Sequence, residues 1–269
     1  MTLELQRTPG EQLFRLLRDE FIPQLSSNSN SWTNFAPLLS AFNPTADYSN
    51  FLRGLVAVHI TKLFVLKAKH QVKISENEAA DFSSISTFIR SNYLSGISTE
   101  EADRLARASL LAAQFSDKDI PNGLKRRLKN SPALCYLCAR DLKPDAPEDD
   151  HHFFTLEHVW PRSVGGESVE ENLLPACTHC QKAKGDTFSW EGFSVQNFAM
   201  SPEPSGDAIT SIPREVKIAR HYLEALQRSD SEKCSLKEAF ISIGTYAKPV
   251  RFAITGRPIT FFDIQTLKA

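Results

Sequence analysis

Cys135-Tyr136-Leu137-Cys138 and Cys177-Thr178-His179-Cys180 bracket 38 residues, and the reading of that stretch decides the fold. Two C-x2-C pairs can bring four thiolates onto one tetrahedral Zn2+, with Zn–S bonds of about 2.3 Å. Four protein ligands close such a site, so the zinc is expected to be structural. The surrounding region has little apolar surface of its own, and metal binding can supply about 10 kcal/mol of folding free energy to such a region. Four buried thiols that never meet are the alternative. His179 is expected off the Cys177–Cys180 face, exposed or beside the site.

Within the bracket, Phe153 to Trp160 alternates in polarity and is rich in β-formers, which predicts a strand ended by Pro161. Gly165-Gly166 predicts a turn. A short helix is expected from near Pro175, where proline suits a first helical position, to Lys184, with Gly185 as a left-handed cap. The order is therefore strand, strand or loop, then helix. Glu157 and His158 lie side by side on the first strand, and strand neighbours face opposite ways. Phosphodiester hydrolysis needs an activated water and a cation against the developing charge. A histidine titrates in the range that accepts the proton, and a carboxylate oxygen is a hard ligand for Mg2+. Gln181 and Lys184 are three apart on the helix and form the other wall.

The series Cys-x2-Cys, Leu156-Glu157-His158-Val159-x-Pro161-x3-Gly165-Gly166, Asn172-Leu173-Leu174 and Cys177-x2-Cys180-Gln181-x2-Lys184-Gly185 resembles the HNH endonuclease family, of ββα-metal or His-Me finger fold. The resemblance covers roughly residues 131–192. It implies a metal-dependent endonuclease in which His158 is the general base and Glu157 a ligand of the catalytic Mg2+ or Mn2+. Asn172 would brace the loop and fix the histidine. Gln181 stands where the family carries histidine or asparagine as second metal ligand. Cys135, Cys138, Cys177 and Cys180 would hold the structural zinc. Glutamate replaces the more usual aspartate at 157, and glutamine brings a longer, freer arm at 181. Both departures predict a weaker or more selective metal site. Arg162 and Lys184 are the expected phosphate-contacting cations. His151 and His152 are expected as solvated loop residues, with a replacement ligand as the other reading. Trp160 is expected in the core.

The fold class expected is α+β and mainly helical, with the HNH core between helical regions. Three domains are expected: a helical region 1–117, the nuclease core 118–200, and C-terminal helices with a terminal β-hairpin over 201–269. In the first, helices are expected over Glu11–Phe21, residues 49–70, Glu76–Tyr93, and from the capping box Ser98-Thr-Glu-Glu101 to Phe115. The helix over 49–70 is apolar around most of its girth and is expected to be central. The stretch 26–31 reads as a polar loop and 201–206 as a linker. Helices are expected over Pro213–Arg228 and from Ser235 to Ile243, and a hairpin turning at Gly256-Arg257. Cys234 is expected inside a helix core. His59 and His70 are expected as packed or surface residues.

Composition bounds the function. The chain has 269 residues, 41% of them hydrophobic and 23% charged, with a net charge of −1. No apolar run reaches the roughly 18 residues of a membrane span, and no secretory signal is evident, so a cytoplasmic location is expected. Paired cysteines suit a reducing compartment and a metal. Residues 118–143 hold seven basic and two acidic side chains, centred on Lys125, Arg126, Arg127 and Lys129. That run reads either as a solvated helix face or as a nucleic-acid grip, DNA being favoured over RNA. The near-neutral chain has no recognisable sequence-reading element, so targeting is expected to need a protein partner docked on residues 1–117. Many antiphage systems use HNH effectors, and that context is the one expected. The second functional reading is an inactive, zinc-stabilised HNH-fold module that binds nucleic acid or acts as an adaptor.

Overall fold

The computed structural model describes residues 7–22, 46–75, 77–92, 94, 96–131, 133–185 and 214–246. The polar loop at 26–31, the linker at 201–206 and the hairpin at Gly256-Arg257 lie outside the described residues. The protein is α+β and mainly helical, with one small two-stranded sheet among the described residues. The chain divides into two compact units, one of residues 8–117 with 162–167, the other of residues 1–7, 118–161 and 168–269.

The helical unit is built from α1 (Pro9–Leu16), α2 (Ala46–Ile74), α3 (Glu78–Asn92) and α4 (Thr99–Ser116). Thr8 caps α1 by accepting from the Glu11 amide at 3.3 Å, and Pro9 occupies a first-turn position that needs no N–H. The helix expected to run on to Phe21 instead widens into a π-helical turn over Leu17–Phe21. Ser98 and Glu101 form the reciprocal capping box that opens α4. Leu13, Phe14, Leu17, Phe64, Val65, Ile85, Ile89 and Leu105 are each fully buried and make the core. Helix α2 reaches further in both directions than expected and leaves Leu66 and Ile74 exposed beyond its buried stripe. His59 and His70 on it are exposed.

Residues 162–167 belong to this unit although they lie inside the motif stretch. Gly165 has φ of +86°, which only glycine adopts freely, and its carbonyl accepts from the Gly10 amide at 3.1 Å. A Cβ on Gly10 would stand 2.1 Å from the Val164 carbonyl oxygen, so two backbones meet here with no room for a side chain.

The second unit holds α5 (Asn122–Lys129), β1 (Phe154–His158), β2 (Leu173–Cys177), α6 (Thr178–Lys184), α7 (Arg214–Glu232) and α8 (Leu236–Ile243). Strands β1 and β2 pair antiparallel, with Glu157 opposite Leu174 and His158 opposite Leu173. The helix after β2 starts at Thr178, not near Pro175. Pro175 lies in β2 opposite Leu156, and its carbonyl accepts from the Tyr136 amide at 3.0 Å. In a two-stranded ribbon each strand has an open edge, where a missing N–H is tolerated. Gly185 has the expected positive φ but an extended ψ of −158°, so it ends α6 outside the left-handed helical region. Cys234 is not inside a helix. It sits half-buried in the turn between α7 and α8, and its carbonyl accepts from the Ser229 hydroxyl at 2.7 Å.

Candidate functional site

The four cysteines of the two pairs meet. Their sulfur atoms all lie within 4.8 Å of one another, and Cys135, Cys177 and Cys180 are buried. The first pair sits on a tight turn: the Cys135 amide donates to the Arg140 carbonyl at 2.8 Å, and Ala139 takes a positive φ of 60° to close it. The Tyr136 amide ties that turn to β2. In the second pair Cys177 is the cap of α6, and its sulfur accepts from the Cys180 amide at 3.4 Å. The expectation that both lie within the helix is corrected, because Cys177 ends the strand and turns its sulfur back over the first helical turn.

Tetrahedral Zn–S bonds of about 2.3 Å place sulfurs about 3.8 Å apart, and the Cys138–Cys177 separation is 3.8 Å. The donor set thus fits a thiophilic metal ion such as zinc. Without a cation the thiols share protons unequally. Hydrogen bonds, the one with Cys135 foremost, hold Cys138 down at about 6. Cys177 is also lowered, Cys135 foremost, while Cys135 and Cys180 are raised by their neighbours' sulfurs.

Beside this cluster, β1, β2 and α6 assemble a ββα unit. Glu157 is buried, and His158 on the other side of the strand is half-buried. His158 Nε2 lies 3.0 Å from the Ser168 hydroxyl oxygen, and that hydroxyl donates to the Lys118 carbonyl at 2.6 Å. Asn172 is buried and clamps Trp160 on both sides of its backbone. Its Oδ1 accepts from the Trp160 amide at 2.6 Å, and its Nδ2 donates to the Trp160 carbonyl at 2.9 Å. The Asn172 carbonyl also accepts from Val159 at 2.8 Å. The residues following His158 are thereby fixed to the turn that leads into β2.

Residues 135–187 match the family model for HNH endonuclease. The chain contains an HNH endonuclease domain. No curated protein and no solved structure matches the chain.

Within the HNH domain, Lys184 is buried and its Nζ lies 2.6 Å from Glu157 Oε1. The ammonium expected at a phosphate therefore faces the carboxylate expected at a metal. Gln181 stands half-buried one turn earlier on α6. Glu157 and Gln181 offer hard oxygen donors of the kind Mg2+ takes, yet the near oxygen of Glu157 is already held by a cation from the chain. As it stands, this pair does not fit a divalent ion. Among the described residues, the thiol cluster is the one group of three or more histidine, cysteine or acidic side chains close enough to hold a metal.

Arg162, also expected at a phosphate, belongs to the helical unit. Its guanidinium donates to the Ser116 and Asp117 carbonyls at 2.8 and 3.2 Å, closing the C-terminal end of α4. Lys125, Arg126 and Arg127 on α5 are exposed and Lys129 is half-buried. Arg127 pairs with Glu170 in the turn before β2. His151 Nδ1 lies 2.6 Å from His179 Nε2. Desolvation, then the neighbouring His151, holds His179 below the usual imidazole range. His152 Nδ1 donates to the Asp141 carbonyl at 2.8 Å. Trp160 is fully buried.

Sequence reasoning missed the tyrosines. Tyr222 on α7 donates to the Val159 carbonyl at 2.9 Å and meets the Tyr136 hydroxyl at 3.1 Å. Both are buried, and burial pushes both phenols well above their ordinary range. The Tyr246 hydroxyl reaches the Cys180 sulfur at 3.3 Å, and its amide donates to the Leu137 carbonyl at 2.9 Å. No local pattern signals such partners, because the residues lie 63 and 66 positions apart in the chain.

Proposed function

We propose that the HNH domain is a metal-dependent endonuclease that hydrolyses phosphodiester bonds, of DNA in preference to RNA, with His158 as general base. The observation that carries this is the contact of His158 with Ser168. The serine proton is committed to the Lys118 carbonyl, so its oxygen receives the proton on Nε2. With Nε2 as donor to that oxygen, Nδ1 is the ring atom assigned to take the proton from water. Asn172 holds the backbone behind the ring. The thiol cluster is assigned to structural Zn2+. A Mg2+ or Mn2+ ion would supply charge stabilisation at the phosphate and leaving oxygen, with Glu157 and Gln181 as its protein donors only once the Lys184 ammonium leaves the near oxygen of Glu157. The exposed α5 cations Lys125, Arg126 and Arg127, with Lys129, are assigned to the nucleic-acid backbone.

The helical unit is proposed as a docking part for a protein partner, in an antiphage defence setting. A net charge near zero, and exposed Leu66 and Ile74 on α2, support that reading. The decisive assay is cleavage of supercoiled plasmid and single-stranded RNA by wild type and His158→Ala, with EDTA, Mg2+ or Mn2+. Metal-dependent nicking by wild type alone is expected. Equal nicking by His158→Ala rejects the assigned base.

One observation favours a second reading. The Glu157–Lys184 pair suits an HNH fold that binds nucleic acid or a partner without cutting. Tight plasmid binding with no cleavage under either metal would select it.

A further inference from the structure

The ion pair at the centre of the HNH domain is costly in itself. The Lys184 side chain is 1% exposed and that of Glu157 is 8% exposed. Two ions taken out of water lose hydration that their attraction recovers only in good geometry, and an apolar pair of similar volume usually serves stability as well. The geometry here is good. Nζ stands 2.6 Å from Oε1, and the ammonium lies 5.8 Å from the ring centroid of Tyr222. Tyr222 is itself locked by its hydroxyl to Val159, two residues after Glu157. Strand β1, the C-terminal end of α6 and helix α7 therefore close around one carboxylate and one ammonium.

This carboxylate is also the one hard anionic donor assigned to a divalent ion. A divalent ion and an ammonium cannot both hold the near oxygen, since like charges that close repel strongly in a buried site. We propose that Lys184 is an internal cation that occupies the divalent-metal position at Glu157, so that the metal binds only by displacing the ammonium. The inference rests on the assignment of Glu157 as a metal ligand.

The test is Mn2+ titration of the zinc-loaded full chain, read by calorimetry and by loss of the free Mn2+ electron-spin signal. Lys184→Met is expected to bind Mn2+ at least about tenfold more tightly than wild type, and Glu157→Gln combined with Lys184→Met to return to the wild-type level or below. Unchanged or weaker Mn2+ binding by a folded Lys184→Met overturns the proposal. Because Lys184→Met removes the counter-ion of a buried carboxylate, a second measurement uses wild type. Acetylation of Lys184, followed by mass spectrometry, is expected to be slow without Mn2+ and several-fold faster at saturating Mn2+. Equal rates overturn the proposal. Neither readout involves cleavage. An Mn2+ effect in a protein that cuts nothing rejects the nuclease reading and leaves the displacement standing. Intact cleavage with no Mn2+ effect rejects the displacement alone.

Discussion

Asn172→Ala probes the framework that holds the general base. The wild-type side chain makes two hydrogen bonds to one residue, accepting from the Trp160 amide at 2.6 Å and donating to the Trp160 carbonyl at 2.9 Å. Asn172 is 3% exposed and Trp160 1%, so water cannot replace the lost partners without opening the turn. Stranding a buried donor or acceptor costs about 1–3 kcal/mol each, so the pair comes to about 2–6 kcal/mol. A domain has only about 5–15 kcal/mol in total. At about 2–4 °C per kcal/mol for a chain of roughly this size, the melting temperature should fall by about 5–20 °C. Asn172→Asp keeps the acceptor for the amide but sets a carboxylate oxygen against the Trp160 carbonyl, so it should also be destabilised at neutral pH. Calorimetric melting of the zinc-loaded protein reads both variants. If both melt within about 2 °C of wild type, the clamp contributes little and the reasoning about Trp160 fails.

Three further outcomes are expected. Metal retention should depend on pH, because the cluster holds a metal ion through thiolates and protons compete for them. A chromophoric chelator should therefore collect zinc from the protein faster as the pH is lowered, and a release rate independent of pH would contradict this. Ser168→Ala should reduce plasmid cleavage by about tenfold or more, within the usual span of general-base effects, while zinc content stays unchanged. Ser168→Thr, which keeps the hydroxyl, should restore part of the rate, and equal rates for Ser168→Ala and wild type would remove Ser168 from any role with His158. Gly10→Ala should destabilise the helical unit by roughly 3 kcal/mol, the upper part of the usual overpacking range, because its Cβ would lie 2.1 Å from the Val164 carbonyl oxygen. A thermal melt superimposable on wild type would show that the two backbones can part without loss.

What was legible in the sequence was local. The capping box at Ser98/Glu101 is written within four residues and forms as read, and the helix expected from Ser235 forms with Ser235 as its cap. The paired cysteines and the order strand, strand or loop, helix follow from the local pattern, and the structure has the cluster and a strand in the middle place. What was not legible depends on partners distant in the chain. Pro175 has a local preference for a helix start, but pairing with β1 and the Tyr136 amide put it in a strand instead. Gly165-Gly166 reads as a turn, whereas the reason for glycine at 165 is the backbone of Gly10 and the Ala112 side chain against it. Arg162 and Lys184 read as free cations because a linear pattern shows charge without showing what covers it.

The covering explains why Lys184 is not a surface cation. A lysine at the last turn of a seven-residue helix would ordinarily reach solvent, and a two-stranded ribbon with one short helix has too little surface to bury it. The additional wall comes from the C-terminal helices. Tyr222 and Phe240 pack edge to face at 4.6 Å, Phe240 meets Tyr136 at 5.3 Å, and Lys237 donates to the Glu170 carbonyl at 2.6 Å. These contacts bring α7 and α8 onto both the cysteine turn and the segment leading into β2. The aromatic wall lowers the local dielectric around Glu157, which strengthens its attraction for whichever cation is present. The same wall that makes the carboxylate a strong cation site thus makes an unpaired carboxylate costly, and Lys184 is the cation within reach when no other is bound.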